Sequence, residues 1–303
     1  MRIHLCNDVA FKWVFGRQER TDPLISLLNA VAGHESPGTL FREIRVLNPF
    51  DISKYAGDKM GILDLRVREA ASGIWADVEM QVEHQEYYPE RFMYYLAGLY
   101  RDQLSSGEGY HKLRPCNGIH FLMSDLLEDE PENWYNAYRM MNVRSHETLS
   151  RHWNLYYLEL GKFRKALRKG DTSWEKLEQW CGFLSEPHDP AEAPGESFGD
   201  NEGIREVHEM LGEFTQDERL REQYRLREAW LRDQRSVKRS LREYREKLLA
   251  ERKLRKKAEA VSEEKERRSV LALRGAGYAD ERIAEMLGMS GNRVKAVRGG
   301  QGC

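Results

Sequence analysis

The feature that most constrains this chain is a pair of alternating runs, residues 62–68 and 74–82, joined through Ala71-Ser72-Gly73. Apolar and polar residues alternating on both sides of a Ser-Gly turn signal predict a β-hairpin. With Ser72-Gly73 as a two-residue turn, Leu63 faces Val82, Asp64 faces Gln81, Leu65 faces Met80, Arg66 faces Glu79 and Val67 faces Val78. Successive side chains of a strand point to opposite faces, so one face of this hairpin is wholly apolar. The other gathers Asp64, Arg66, Glu79 and Gln81, with Asp64 and Glu79 as a diagonal pair whose Cβ atoms lie ~7–8 Å apart. That separation suits a divalent cation between two carboxylates, since Mg2+ takes oxygen ligands at ~2.0–2.1 Å and keeps waters and phosphate oxygens in its remaining positions. The backbone carbonyl of Met80 is a further oxygen donor between Glu79 and Gln81. A strand with one polar face is more often simply solvent-facing, and the pattern alone leaves both readings open.

The surroundings of the hairpin read as an α/β domain. Thr21-Asp22-Pro23 opens a helix that Gly33 can end, because Asp22 can cap, proline suits a first turn and glycine a C-terminus. A strand is expected at 45–47, stopped by Asn48-Pro49. A helix is expected over 88–104, with Met93, Leu96, Ala97, Tyr100 and Leu104 on one face, and strands over 117–123 and 153–160. Residues 187–203, rich in Pro, Gly, Glu, Asp and Ser, read as a linker. A long charged helix is expected over 216–268, in which Val237, Leu241, Tyr244 and Leu248 keep a coiled-coil spacing that Glu251 interrupts. Two short helices, 280–288 and 292–298, resemble a helix-turn-helix. The resulting division is 1–185 for the hairpin-bearing domain, 186–203 for a flexible linker, 204–268 for a helical arm and 269–303 for a helix-turn-helix-like tail.

Several function classes are excluded. The chain has no apolar run of the ~18–20 residues that span a bilayer. Its first residues lack the pattern of a signal peptide, so a cytoplasmic location and no membrane partner are expected. Cys6, Cys116, Cys181 and Cys303 form no CxxC pair, and no HExxH, P-loop or GxSxG is present. His84 and His111 have no partner spacing and read as ordinary histidines. Net charge is −2, but unevenly distributed: residues 238–257 hold ten Lys or Arg against three Glu, a net of +7 that leaves −9 for the rest. Such asymmetry indicates an acidic body with a basic arm suited to phosphate attraction. On that arm Lys238, Arg239 and Arg242 are candidate DNA contacts, and on the last helix Asn292, Arg293 and Lys295 are placed to enter a major groove. The same long helix also suits homodimerisation.

One resemblance covers roughly residues 1–165. Asn7-Asp8-Val9-Ala10-Phe11-Lys12 with Phe15-Gly16, Leu27-Leu28-Asn29-Ala30, Leu47-Asn48-Pro49, Asp58-Lys59-Met60-Gly61-Ile62-Leu63-Asp64-Leu65, Val78-Glu79-Met80-Gln81, Tyr88-Pro89-Glu90-Arg91 with Tyr94-Tyr95, and the run 153–163 follow one another in this order. In these segments the chain closely resembles the PD-(D/E)XK nuclease family transposases, also called the Rpn or recombination-promoting nuclease family. The resemblance implies a restriction-endonuclease-like fold with an αβββαβ core and a mixed central sheet, followed by a long charged helix and a small helical end. It implies a metal-dependent DNA endonuclease linked to recombination or mobile elements, using Mg2+ or alternatively Mn2+.

By position, Asp64 and Glu79 match the metal-binding acids, with Met80 contributing its carbonyl. Gln81 stands where the wider superfamily usually has lysine. It can orient an attacking water by hydrogen bonding but cannot carry a positive charge. Lys59 is a candidate to supply that charge, with a plain surface lysine as the alternative. Asp8 is a candidate to approach the metal, and Arg91 a candidate phosphate contact. Of Tyr94 and Tyr95, at least one is expected to pack in the core with a polar tip. The competing function is a catalytically weak or inactive nuclease fold that binds DNA or oligomerises through its basic tail.

Overall fold

The computed structural model describes residues 1–35, 41–50, 65–82, 85–127, 132–170, 173–198 and 200–297. They divide into two compact units, Met1–Trp230 and Leu231–Cys303. In the first, a short strand β1 (Ile3–His4) leads to α1 (Asp8–Phe15), where the Asn7 side chain caps the helix by accepting from Val9 N. Helix α2 (Asp22–Glu35) carries Pro23 in its first turn and runs past Gly33. Strands β2 (Ile44–Val46), β3 (Leu65–Glu69) and β4 (Trp75–Gln81) follow, then α3 (Tyr88–Arg101), β5 (Cys116–Leu122), β6 (Tyr135–Met141), β7 (Thr148–Glu159), α4 (Leu160–Lys169), α5 (Lys176–Ser185), β8 (Pro187–His188) and α6 (Glu202–Gln216). The long helix α7 (Glu218–Gly275) begins in this unit, and α8 (Asp280–Leu287) and α9 (Gly291–Ala296) lie in the second.

Six of the described strands form one sheet in the order β2-β3-β4-β5-β7-β6, and β1 and β8 form a separate pair. β4, β5 and β7 are parallel to one another, while β2, β3 and β6 are antiparallel to their neighbours. Parallel strands are covered on both faces and therefore read as continuous apolar runs, and every residue of β5 is buried. One face packs Val67, Val78, Met80, Ile119, Phe121, Tyr156 and Leu158 against the apolar sides of α1, α2, α5 and α6. The other packs Trp75, Cys116, Trp153 and Leu155 against Phe92, Leu96 and Leu99 of α3. The buried stripe of α3 is Tyr88, Phe92, Leu96 and Leu99, whereas Met93, expected on the inner face, is exposed. Phe92 comes so close to the sheet that a Cβ on Gly118 would lie 2.3 Å from its Cζ. Only glycine leaves that ring its place.

The β3–β4 hairpin is real, but its register is two residues away from the expected one. Leu65 pairs with Val78, Arg66 with Asp77, Val67 with Ala76 and Arg68 with Trp75. The cause is the turn. Glu69 N–H donates to Ile74 O at 2.8 Å and Gly73 N–H to Glu69 O at 3.1 Å, so residues 70–73 form a four-residue loop instead of a two-residue one. Gly73 takes the left-handed conformation (φ 72°), and the Glu69 carboxylate accepts from both the backbone N–H and the hydroxyl of Ser72, the latter at 2.6 Å. A shift of two keeps every side chain on its face, so the apolar and polar faces survive. It moves Arg66 from opposite Glu79 to opposite Asp77.

Residues 186–203, read from composition as a linker, contain β8, paired with β1, and a short turn, Glu196–Phe198, whose Phe198 meets Trp174 and Phe183 at 5.7 Å. Next, α6 buries Ile204, Val207, Met210, Leu211 and Phe214 in the main core, joined by Leu220 and Tyr224 of α7. Helical spacing of apolar residues thus places this part of the charged region in the body. In the second unit Val270, Ile283 and Val294 form a small core among the end of α7, α8 and α9. Gly288 closes α8 in the left-handed conformation, and Ser290 caps α9. No helix among the described residues is long and apolar enough to cross a membrane.

Two stability predictions follow from this packing. Gly118→Ala should destabilise the fold by about 1–3 kcal/mol through overpacking against Phe92, read as a lowered urea midpoint. His188 stacks on Phe183 (3.8 Å between ring centres) with Nε2 donating to Phe183 O at 2.7 Å. Burial holds its pKa below the usual value, only partly offset by that hydrogen bond. Below pH ~6.5 the unfolded chain takes up a proton that the folded one resists, so this contribution is complete above pH ~6.5 and is lost as pH falls. The fall in urea midpoint between pH 7.5 and 5.5 should therefore be smaller for His188→Gln than for the unaltered protein.

Candidate active site

Strand alternation puts Trp75, Asp77, Glu79 and Gln81 of β4 on the face that α3 covers. Between β4 and α3 the chain reverses sharply. Tyr87 adopts the left-handed conformation (φ 58°) at the N-cap, and Pro89 sits in the first turn. This places Tyr88 and Arg91 above the end of β4. Arg91 Nη2 donates to Glu79 Oε1 at 3.0 Å, and its guanidinium lies over the Tyr88 ring at 5.3 Å. The Glu79 side chain is 12% exposed and that of Arg91 39%, so the pair lies at the mouth of the α3–sheet layer.

Behind Glu79 the layer is polar and closed. Glu79 pairs in register with His120 of β5, and His120 with Tyr157 of β7. The His120 ring is fully buried, stacked on Tyr157 (5.0 Å) and edge-on to Phe92 (3.4 Å). Its Nδ1 is 2.7 Å from the Tyr88 hydroxyl and 3.7 Å from Glu79 Oε2. Tyr88 also hydrogen-bonds the Glu79 carboxylate. A carboxylate only accepts, so Tyr88 O–H donates to Glu79 and accepts from His120 Nδ1–H. This assignment leaves His120 Nε2 as a buried lone pair, in agreement with its lack of a hydrogen-bond partner. Burial, with Arg91 nearby, holds the His120 pKa well below the usual value, so the ring is neutral. Burial and the Glu79 charge push the Tyr88 hydroxyl far above the ordinary phenol range. The carboxylate thus faces a cation on the open side and neutral donors on the closed side.

Gln81 is buried at the end of β4, and its backbone O accepts from Met123 N at 2.9 Å. Asp77, two residues before Glu79 on the same face, is buried opposite Arg66. The donors at this end of β4 are the Glu79 carboxylate, the Gln81 amide oxygen and the Met80 carbonyl. Such hard oxygen donors suit Mg2+ or Mn2+, and Mg2+ is commonly held through only one or two carboxylates. Among the described residues no three His, Cys, Asp or Glu side chains gather as a metal cluster.

Of the residues expected to form the site, Glu79, Gln81 and Met80 adjoin one another on β4, and Arg91 is bound to Glu79. Asp64 and Lys59 lie outside the described residues, as does His84. Asp8 is tied to Arg227, whose Nε donates to it at 2.8 Å. Burial raises the Asp8 pKa, opposed by that arginine. Tyr94 and Tyr95 are both exposed, in contact with each other at 5.8 Å, and Phe92 fills the core position between the helix and the sheet. On the long helix Arg239 pairs with Glu243 and Arg242 with Glu246, all highly exposed, as i,i+4 pairs. In the tail Arg293 is held by Glu266 at 2.9 Å, while Lys295 is exposed. Tyr88, His120 and Asp77 went unrecognised in the sequence. The available signal for His120 was a lone polar side chain between Ile119 and Phe121 in an otherwise apolar run.

A family model described as PD-(D/E)XK nuclease family transposase matches residues 5–240. The chain belongs to the PD-(D/E)XK nuclease family transposases. The mixed sheet, the long helix and the short terminal helices agree with that nuclease fold, and membership links the chain to nucleases of mobile elements. No curated protein and no solved structure matches it.

The closed side of the site generates a prediction for this nuclease-family chain. Tyr88→Phe removes the hydroxyl between Glu79 and His120 and leaves both ring nitrogens of His120 without a partner. Unfolding free energy should fall by about 1–3 kcal/mol, the cost of orphaning buried polar groups. Urea titration at neutral pH measures it.

Proposed function

We propose that this chain is a metal-dependent DNA endonuclease in which Asp64 and Glu79 hold a Mg2+ or Mn2+ ion, with the Met80 carbonyl as a further donor. The observation that carries the reading is the Glu79 carboxylate, kept at the mouth of the α3–sheet layer by Tyr88 and neutralised by a cationic side chain, Arg91. Asp64 precedes Leu65, and Leu65 pairs with Val78, the neighbour of Glu79. When bound, such an ion polarises a phosphodiester oxygen, lowers the pKa of water and offsets charge in the transition state. Gln81 orients the attacking water through its amide, and Lys59 supplies positive charge that Gln81 lacks. Arg91 has a second use: once Glu79 is otherwise neutralised, its guanidinium is at hand for a phosphate oxygen.

The basic arm and tail supply sequence-independent attraction for DNA. Lys238, Arg239 and Arg242 lie on the long helix, and Arg293 and Lys295 on α9. Arg293 must exchange Glu266 for phosphate or base, whereas Lys295 is exposed and ready. Val237, Leu241, Tyr244 and Leu248 form an exposed apolar seam on a helix of 58 residues, which a second copy would bury as a homodimeric coiled coil in the cytoplasm.

A second reading is favoured by two observations together: glutamine stands in place of the lysine, and Arg91 already satisfies Glu79. In that reading the chain binds DNA without cutting it. Incubation of supercoiled plasmid with Mg2+ separates the two. Under the endonuclease reading, Asp64→Asn and Glu79→Gln should each lower the cleavage rate at least about 100-fold, beyond what loss of an outer-shell partner costs. Equal cleavage by the variants would overturn the assignment, and salt-sensitive binding without cleavage by the unaltered protein would establish the second reading.

A further inference from the structure

The β6–β7 hairpin extends beyond the rest of the sheet. β5 pairs with β7 only from Trp153 onward, so, among the described residues, 140–152 have no strand beside them except each other. Within that stretch the pairing slips twice: Arg139 pairs with Asn154, Met140 with Ser150 and Met141 with Thr148. The extra residues on β7 are bulges, which bend a strand and re-aim its side chains. The tip beyond them is firmly built. Asn142 N–H donates to Glu147 O and His146 N–H to Asn142 O, both at 2.9 Å. The Asn142 side-chain oxygen accepts from Arg144 N (2.9 Å) and Ser145 N (3.1 Å), and His146 closes the turn at φ 59°.

What this rigid tip displays is unlike a solvated loop. Val143 is 92% exposed, Leu149 77%, and Met140 and Met141 about half. Among them stand Arg144 and Arg151, neither of whose guanidinium groups has a hydrogen bond or ion pair with any described residue, and Glu147 is the only acid over 138–152. We propose that this hairpin is a DNA-contacting arm, in which Arg144 and Arg151 neutralise phosphates and Val143 packs against sugars or a base step in a groove. The inference rests on DNA being the substrate class of this chain.

Charge complementarity selects the occupant. Outside residues 238–257 the chain sums to −9, yet this projecting tip is cationic. Apolar wedges flanked by arginine are how β-ribbons and architectural proteins enter a groove. The distance also fits. Tyr157, in the row of Glu79 and His120, lies nine residue steps along the strand from Thr148, at most about 30 Å. That is close to one helical turn of duplex, ~34 Å. A duplex lying across Glu79 therefore presents the same groove again near the tip.

The test uses full-length protein and a labelled duplex about three helical turns long, in EDTA, with anisotropy read between about 50 and 200 mM salt. Arg144→Ala/Arg151→Ala should weaken binding roughly tenfold and flatten the slope of log K against log salt by about 1.8, or 0.9 per phosphate contact. Val143→Ser should weaken binding about three- to tenfold without changing that slope. All three positions are exposed, and circular dichroism checks that the fold is kept. Unchanged affinity and slope in both variants would overturn the arm. A changed mass by light scattering with unchanged DNA binding would assign the tip to a protein contact and also overturn it. Plasmid cleavage with Mg2+ on the same samples tests the parent reading separately. Protein that binds through the arm but never cuts removes the endonuclease and keeps the arm, and protein that cuts while the variants bind normally does the reverse. Protein that does not bind the duplex at all removes both.

Discussion

The contact on which the site depends is the seating of Phe92 in the gap left by Gly118. A helix laid on a sheet usually stands off by the length of the side chains between them, and most of α3 does so on Leu96 and Leu99. At Gly118 the sheet has no side chain, and the Phe92 ring drops towards it until it touches His120. Close packing fixes the roll of α3 about its own axis, since a ring in a socket tolerates little rotation. Roll in turn decides which residues one turn earlier face β4. Tyr88, four residues before Phe92, lands on the same stripe, and Arg91 is carried to the open edge beside Glu79. A packing choice in the middle of the layer thereby sets the chemistry at its mouth.

The electrostatics of that mouth follow from the same geometry. A carboxylate 12% exposed keeps its charge only if nearby groups replace the water it has lost. On the inner side the replacement is a hydroxyl backed by a neutral imidazole, on the outer side a guanidinium. The inner donors are fixed by burial, whereas Arg91 is more than one third exposed and can leave without opening the core. The arrangement is asymmetric in the way that a cation site requires: orientation is held from behind, and the cation in front is exchangeable. Asp77 does not share this role, because it is buried opposite Arg66, deeper along the strand.

The sequence made the faces of the hairpin legible and left the register illegible. Period-two alternation determines which side chains share a face, and a slip of two residues preserves it. Counting from the turn requires knowing the turn. Glu69 and Ser72 formed a side-chain bridge that widened the loop to four residues, a local hydrogen-bond choice that no pattern of apolar residues encodes. For α3 the opposite happened. Met93 and Phe92 are both apolar neighbours, and helical spacing alone accommodates either as the inner residue; the vacancy at Gly118, on a different element, decides for Phe92. His120 was missed because its burial comes from the pairing of β4, β5 and β7, a non-local fact. β6 was not anticipated because its exposed apolar pair, Met140 and Met141, breaks the alternation that marks a strand. α6 shows how composition misleads: its four glutamates give it a charged look, but Ile204, Val207, Met210, Leu211 and Phe214 fall on one side.

Charge distribution decides which cationic groups are available to a polyanion. An acidic body repels a polyanion, so a cationic group left without a carboxylate partner matters for attracting one. Arginines spread over the body would neutralise it, but an arginine beside carboxylates is consumed by them, as Arg20 is by Glu206 and Glu213. On the long helix, too, i,i+4 glutamates pair with Arg239 and Arg242, at the expense of its pull on phosphate. At the β6–β7 tip the hydrogen bonds of the turn involve backbone and Asn142, not the guanidinium groups, so the shape of the tip is maintained without consuming its charge. Rigidity and available charge coincide there, which is what an element preorganised for a phosphate backbone needs.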